Sequence, residues 1–303
     1  MTYNFFTVDR LQPPLLSNAL ASCINVEPST VDVADVDGDQ DDRNWDAHVL
    51  CDYTHVFGNV SLTLDIFVQD AVPNQPNEAD AAKKFAAAAQ TVVLYPAAEQ
   101  IPSAYWLVTP TGLLTRARLV ATDDERPTYS IDAVEAAIPQ LPGVRVMQLP
   151  EIVRERRVPT PVTADFTRAV DALRRSQHGS VNAALIDEPG TPLNHSRNYL
   201  AEWERMVRIM ASNWQPTGRY PIELYCDALR ARDFLAHLSA KLPQPVDDLL
   251  QKAVDQLDAR FRSHTQLDDT WAIEAGTSDS SATMENPGWW WHRKPLILPW
   301  DGN

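Results

Sequence analysis

The sequence predicts an α+β N-terminal domain built on a mainly antiparallel sheet, followed by an all-α C-terminal helical bundle. Three observations carry this expectation. Apolar and polar residues alternate over neighbouring segments of the first half, apolar residues recur at helical spacing in the second half, and proline-rich connectors lie between them.

In Trp45–Thr54 one parity reads Trp45, Ala47, Val49, Cys51 and Tyr53, and the other reads Asp46, His48, Leu50, Asp52 and Thr54. That is the pattern of a strand with one buried face. Ser61–Val68 repeats it, and Gly58-Asn59 between them is a hairpin signal. An alanine-rich helix is expected over Glu78–Gln90 and an apolar strand over Thr91–Tyr95. Tyr105–Thr109 and Leu113–Ala121 flank Pro110-Thr111-Gly112, a second hairpin. A helix over Ile131–Ile138 and a strand over Val144–Leu149 would then make 45–96 and 104–149 two copies of a strand–strand–helix–strand unit.

Beyond Val158–Val162 the period changes. Ala164–Arg175 has helical spacing, and Gly179–Pro192 reads as a connector. Leu200, Trp203, Val207 and Met210 mark one helix, and Leu224, Ala228, Ala231, Leu235 and Leu238 a second. Pro243 and Pro245 break the pattern before a third, with Val246, Leu249, Ala253, Leu257 and Phe261 on one face. Gly276–Gly288 is a Ser/Thr-rich connector to Trp289-Trp290-Trp291. The expected division is an acidic domain over 1–158, a helix and linker over 159–195, and a helical bundle with a Trp-rich tail over 196–303. The W-E-R-M run at 203–206, the L-D-A-R-F run at 257–261 and the Trp-rich tail resemble a helical module of bacterial proteins, over roughly the last 110 residues. No known function comes with that resemblance.

Composition narrows the function classes. The net charge is −15, and residues 1–158 hold 22 acidic against 11 basic side chains. Such a surface repels phosphate backbones and favours a basic protein partner over nucleic acid. Only 10 glycines occur in 303 residues, and no glycine-rich phosphate loop is among them. No cofactor is therefore expected. Cys23, Cys51 and Cys226 are too few and too scattered for a disulfide framework. With no secretory leader in Met1–Arg10 and no long apolar run, the expected location is cytoplasmic, away from membranes.

Four features are candidate sites. His48, Cys51 and His55 have metal-like spacing, but strand parity turns His48 away from Cys51, so no metal is expected. The segment Asp35 to Asp42 concentrates carboxylates at Asp35, Asp37, Asp39, Asp41 and Asp42. It lacks the glycine and the glutamate of an EF-hand loop and reads as a solvated acidic loop, suited to a basic partner. Arg232 and His237 form R-x4-H, which resembles the motif of HEPN ribonucleases, helical enzymes that often act as dimers. The resemblance implies an RNA-cleaving pair, whereas helix geometry alone sets the two side chains about 140° apart. Trp289, Trp290 and Trp291, read as a strand, place one ring or two in the helical core and leave the remainder exposed for a partner.

These features favour a non-catalytic protein-binding protein, of the kind of an immunity protein or antitoxin that neutralises a basic effector. The alternative is a HEPN-like ribonuclease using Arg232 and His237. Catalysis and oligomeric state are left open by the sequence.

Overall fold

The alternating segments of the first half become strands of one sheet in a computed structural model, which describes residues 1–41, 43–97, 100–124, 127–176, 187–268 and 288–300. The chain divides into two compact units, Met1–Glu155 and Arg156–Asn303.

The first unit runs β1 (Thr2–Thr7), α1 (Pro13–Ile24), β2 (Val31–Asp35), β3 (Val49–His55), β4 (Phe57–Gly58), β5 (Leu62–Val68), α2 (Glu78–Ala89), β6 (Val93–Pro96), β7 (Ala104–Val108), β8 (Leu114–Ala121), β9 (Thr128–Val134), β10 (Arg145–Val146) and α3 (Pro150–Glu155). The strand order is β10-β9-β8-β7-β6-β1-β5-β3-β2, with β4 beside β9. Neighbours are antiparallel except β2–β3, β9–β10 and β4–β9. Val49, Cys51 and Tyr53 of β3 and Leu62, Leu64 and Ile66 of β5 face one way, where Leu16 and Leu20 of α1 and Phe85 of α2 cover them. Asn77 accepts a hydrogen bond from the Asp80 amide and caps α2, whose first turn carries Glu78 and Asp80 against the helix dipole.

A second apolar layer forms on the β6–β9 half, where Ile138 and Leu141 pack with Leu94, Leu107, Ala117 and Leu119. The other half is treated differently. Asn4, Asp65 and Phe67, on the opposite side from Phe5, Leu64 and Ile66, are exposed. Leu50 and Asp52 beside them are half-buried. This open patch of sheet, ending at the edge strand β2, carries one candidate site.

The second unit contains α4 (Pro161–Ser176), α5 (Pro192–Ala211), α6 (Ile222–Ser239) and α7 (Gln244–Ser263), then β11 (Thr265–Leu267) and β12 (Arg293–Pro295), which pair antiparallel. A single 3-10 turn, Trp289–His292, precedes β12. Leu200, Trp203 and Val207 of α5, Leu224 and Leu235 of α6, and Leu250, Leu257 and Phe261 of α7 are fully buried.

The observed chain departs from the expectation in four places. Residues 131–134 continue β9 instead of starting a helix: Tyr129, Ile131 and Val134 suit a pleated surface, β8 supplies a partner ladder, and Pro139 stops a helical run. The strand–strand–helix–strand order is therefore not repeated. The C-terminal unit is not all-α, because the tail returns as β12. The helix at 161–176 belongs to the second unit, not to a separate linker. Trp45 precedes the strand, which starts at Val49, and is exposed instead of facing the core. Most of the expected connectors at 179–192 and 276–288 lies outside the described residues.

One glycine fixes how β4 crosses to β9. Gly58 has φ +106°, and a Cβ there would stand 2.0 Å from the Tyr129 carbonyl oxygen. Gly112 has φ +86° with nothing near its missing side chain. Gly112→Ala should cost about 1 kcal/mol, the left-handed backbone penalty alone. Gly58→Ala should cost upwards of about 2 kcal/mol, since backbone must also move. Urea unfolding of both variants checks this, and equal losses would contradict the β4–β9 packing.

Candidate functional site

Two polar constellations stand out, one in each unit. The first is internal. Arg232, near the middle of α6, is buried and forks onto Asp258 of α7, with Nε donating to Oδ1 at 3.0 Å and Nη2 to Oδ2 at 2.9 Å. Trp203 of α5 donates its indole N–H to the same Oδ1 at 3.2 Å. The Trp290 ring lies over the guanidinium, 4.1 Å from Cζ to the ring centroid. Asp233, next to Arg232 and also buried, accepts the indole N–H of Trp290 on Oδ1 at 2.9 Å and that of Trp291 on Oδ2 at 2.8 Å. Burial pushes the Asp233 carboxyl above the usual carboxylate range, while the two indole donors and the His237 and Arg232 charges pull it back. The tail is fastened further along by β11–β12 pairing and by the Trp214 indole, which donates to the Ile297 carbonyl at 2.9 Å.

These bonds give the W-E-R-M and L-D-A-R-F runs structural roles. In W-E-R-M, Trp203 binds Asp258, and Glu204 accepts the amides of Val162 and Thr163 at 2.9 and 2.8 Å. That fully buried carboxylate caps the N-terminus of α4 from a neighbouring helix. In L-D-A-R-F, Leu257 and Phe261 are core residues and Asp258 holds Arg232. The patterned residues have structural work here.

The expectation for the tail therefore changes. Trp289–Trp291 form a 3-10 turn, not a strand, so adjacent rings can enter the core together. Trp290 and Trp291 are buried. Trp289 is half-buried between Phe261 and the Arg262 guanidinium, 3.9 Å above its ring. Trp290 and Trp291 thus serve the core, and Trp289 alone of the three is partly exposed. Arg232 and His237 also part company. Arg232 is locked in the buried pair, whereas His237 is exposed, its Nδ1 2.8 Å from the Asp233 carbonyl.

The second constellation lies at the open sheet patch. Asp35 is the last residue of β2, and its Oδ1 accepts the Asp37 amide at 3.1 Å; Asp39 does the same for Asp41 at 2.9 Å. Asp37, Asp39 and Asp41 are exposed, and no ion pair reaches them among the described residues. Asp42 lies outside the described residues. Sequence reasoning missed Arg43, which anchors the loop: Nε donates to Asp32 at 2.8 Å, and Nη1 to Asp52 at 2.6 Å and to Gln40 at 3.2 Å. Hydrogen bonding to Asp32 and Asp52 raises its pKa against the opposing effect of burial. The guanidinium lies over one face of Trp45, 4.5 Å from the ring centroid. Trp45 is nonetheless 61% exposed, as its run of polar neighbours, Asn44 and Asp46, could have indicated.

Cys51 is buried in the sheet core, and His48 lines a different cleft beside Lys84 and Glu27. His55 contacts Arg10 at 3.1 Å. Among the described residues no three His, Cys, Asp or Glu side chains are grouped to hold a metal ion. No described helix is long and apolar enough to cross a membrane. No family model, curated protein or solved structure matches this chain.

The internal lattice makes a sharp forecast for R-x4-H. Arg232→Ala should cost about 3–5 kcal/mol, because it strands Asp258 without its countercharge. His237→Ala should cost no more than about 1 kcal/mol. Thermal or urea unfolding decides, and an Arg232→Ala protein as stable as the parent would contradict the lattice.

Proposed function

We propose that this chain is a non-catalytic binding protein that neutralises a basic protein effector, as an immunity protein or antitoxin does, through the acidic pole of its first unit. The observation that carries the reading is the Asp35–Asp41 loop: its outer carboxylates, at Asp37, Asp39 and Asp41, are exposed and have no ion pair among the described residues, yet its base is fixed by Arg43. A presented but uncompensated charge cluster steers a basic partner and sets the rate of encounter. A loop already ordered when free loses less conformational freedom on binding. The buried, paired state of Arg232 supports this reading over a ribonuclease. The three cysteines are buried and none is in a disulfide, which suits a reducing cytoplasm.

Replacing Asp37, Asp39 and Asp41 together by Asn should slow association with a basic effector by about tenfold or more at low salt. It should also flatten the dependence of the rate on ionic strength and leave the melting temperature unchanged. Stopped-flow or surface-based kinetics across a salt series would show this. An effector whose association ignores both salt and the three substitutions would refute the reading.

A further inference from the structure

The acidic pole borders a shallow depression of about 260 Å³ lined by Thr2, Arg43, Trp45, Leu50, Asp52, Asp65 and Phe67. Four features of it remain unexplained by folding. First, Asp52 and Asp65 stand directly opposite each other on β3 and β5. Like charges in that register destabilise a sheet. Second, Arg43 pairs with both Asp52 and Asp32, but no ion pair reaches Asp65 among the described residues. Third, the Arg43 side chain is only 5% exposed, yet its Nη2 has no hydrogen-bond partner among the described residues. A buried donor left unsatisfied is costly. Fourth, Trp45 carries Arg43 on one face and leaves the other open, while Phe67 beside it is 45% exposed.

We infer that this recess receives an arginine side chain of the basic partner, stacked on the open face of Trp45 and paired with Asp65 and Asp52. The inference rests on the binding-protein reading and names the chemistry its surface selects. A planar guanidinium suits each feature. It stacks on an indole, completing a sandwich with Arg43 on the far side. Its fork of donors spans the two carboxylates, where an ammonium would act as a single point charge. The Asp52–Asp65 repulsion then becomes an attraction for the incoming cation. Local charge agrees: Asp32, Asp52 and Asp65 face one arginine, so the recess keeps a negative balance that a further positive group would reduce.

The test uses the full-length protein, with an oligo-arginine peptide and an oligo-lysine peptide of equal length as probes, titrated calorimetrically at low and physiological salt. The oligo-arginine peptide should bind about tenfold more tightly than the oligo-lysine peptide. Trp45→Ala and Asp65→Asn should each weaken it by about tenfold. Asp65→Asn should at the same time hold or raise the melting temperature, because it removes a like-charge pair; a role in folding alone would lower it. Suppose instead that oligo-arginine binding survives Trp45→Ala and Asp65→Asn within twofold but falls in the Asp37, Asp39 and Asp41 triple variant. The recess is then refuted while the acidic-pole reading stands. Equal affinity for the two peptides overturns the preference for arginine. Failure of both peptides to bind at low salt overturns both the recess and the reading it rests on.

Discussion

The second unit is organised by the pairing of Arg232 with Asp258 beneath Trp290. Burying two charges costs several kcal/mol each unless every donor and acceptor is used. Here the geometry is bidentate, Trp203 takes up further capacity of Asp258, and an indole ring covers the cation. The neighbouring Asp233 would be a second buried charge, and no ion pair engages it directly among the described residues. Two indole N–H groups from consecutive residues serve it instead. The tail is rich in tryptophan because only that side chain combines a large apolar ring with a single N–H donor able to reach into a dry interior. Tight binding of the tail and satisfaction of Asp233 are one requirement.

The first unit handles charge in the opposite way. Its apolar face is fully covered by α1 and α2, but the open patch keeps Asp52 against Asp65 and leaves Trp45 and Phe67 in solvent. Such a patch adds little to folding and in part opposes it. Arg43 prevents the arrangement from collapsing, since it holds β2, β3 and the acidic loop with one guanidinium. A local cost accepted on an exposed surface is understandable where another molecule completes the charge balance.

Much of this fold was legible in the sequence. Alternation over 45–54 and 61–68 pointed to two strands, which form over Val49–His55 and Leu62–Val68 and pair antiparallel. Apolar spacing located α5, α6 and α7. Alternation misplaced Trp45, because parity says nothing about where a strand begins. It also failed at Ile131–Ile138, where I-D-A-V-E-A-A-I satisfies helix and strand alike and the β8 ladder decided. The site was less visible. Arg232 and His237 were noticed as a motif, but the partner that defines Arg232, Asp258, lies 26 positions away on another helix. Asp233 looked like an ordinary residue within the same motif. Arg43 was invisible for the same reason: its role depends on Asp32 and Asp52 meeting across a parallel strand pair, which no local pattern encodes.

The central claim is that the Trp-rich tail is part of the folded core, held by Asp233. Hydrogen exchange at the indole N–H groups tests it directly, because each tryptophan gives its own resonance. The account predicts that the Trp290 and Trp291 indole protons exchange as slowly as that of Trp203, which is bound to Asp258 in the core. Indole protons of Trp290 and Trp291 that exchange at the rate of the exposed Trp45, with Trp203 still protected, would show the tail to be free and contradict the account.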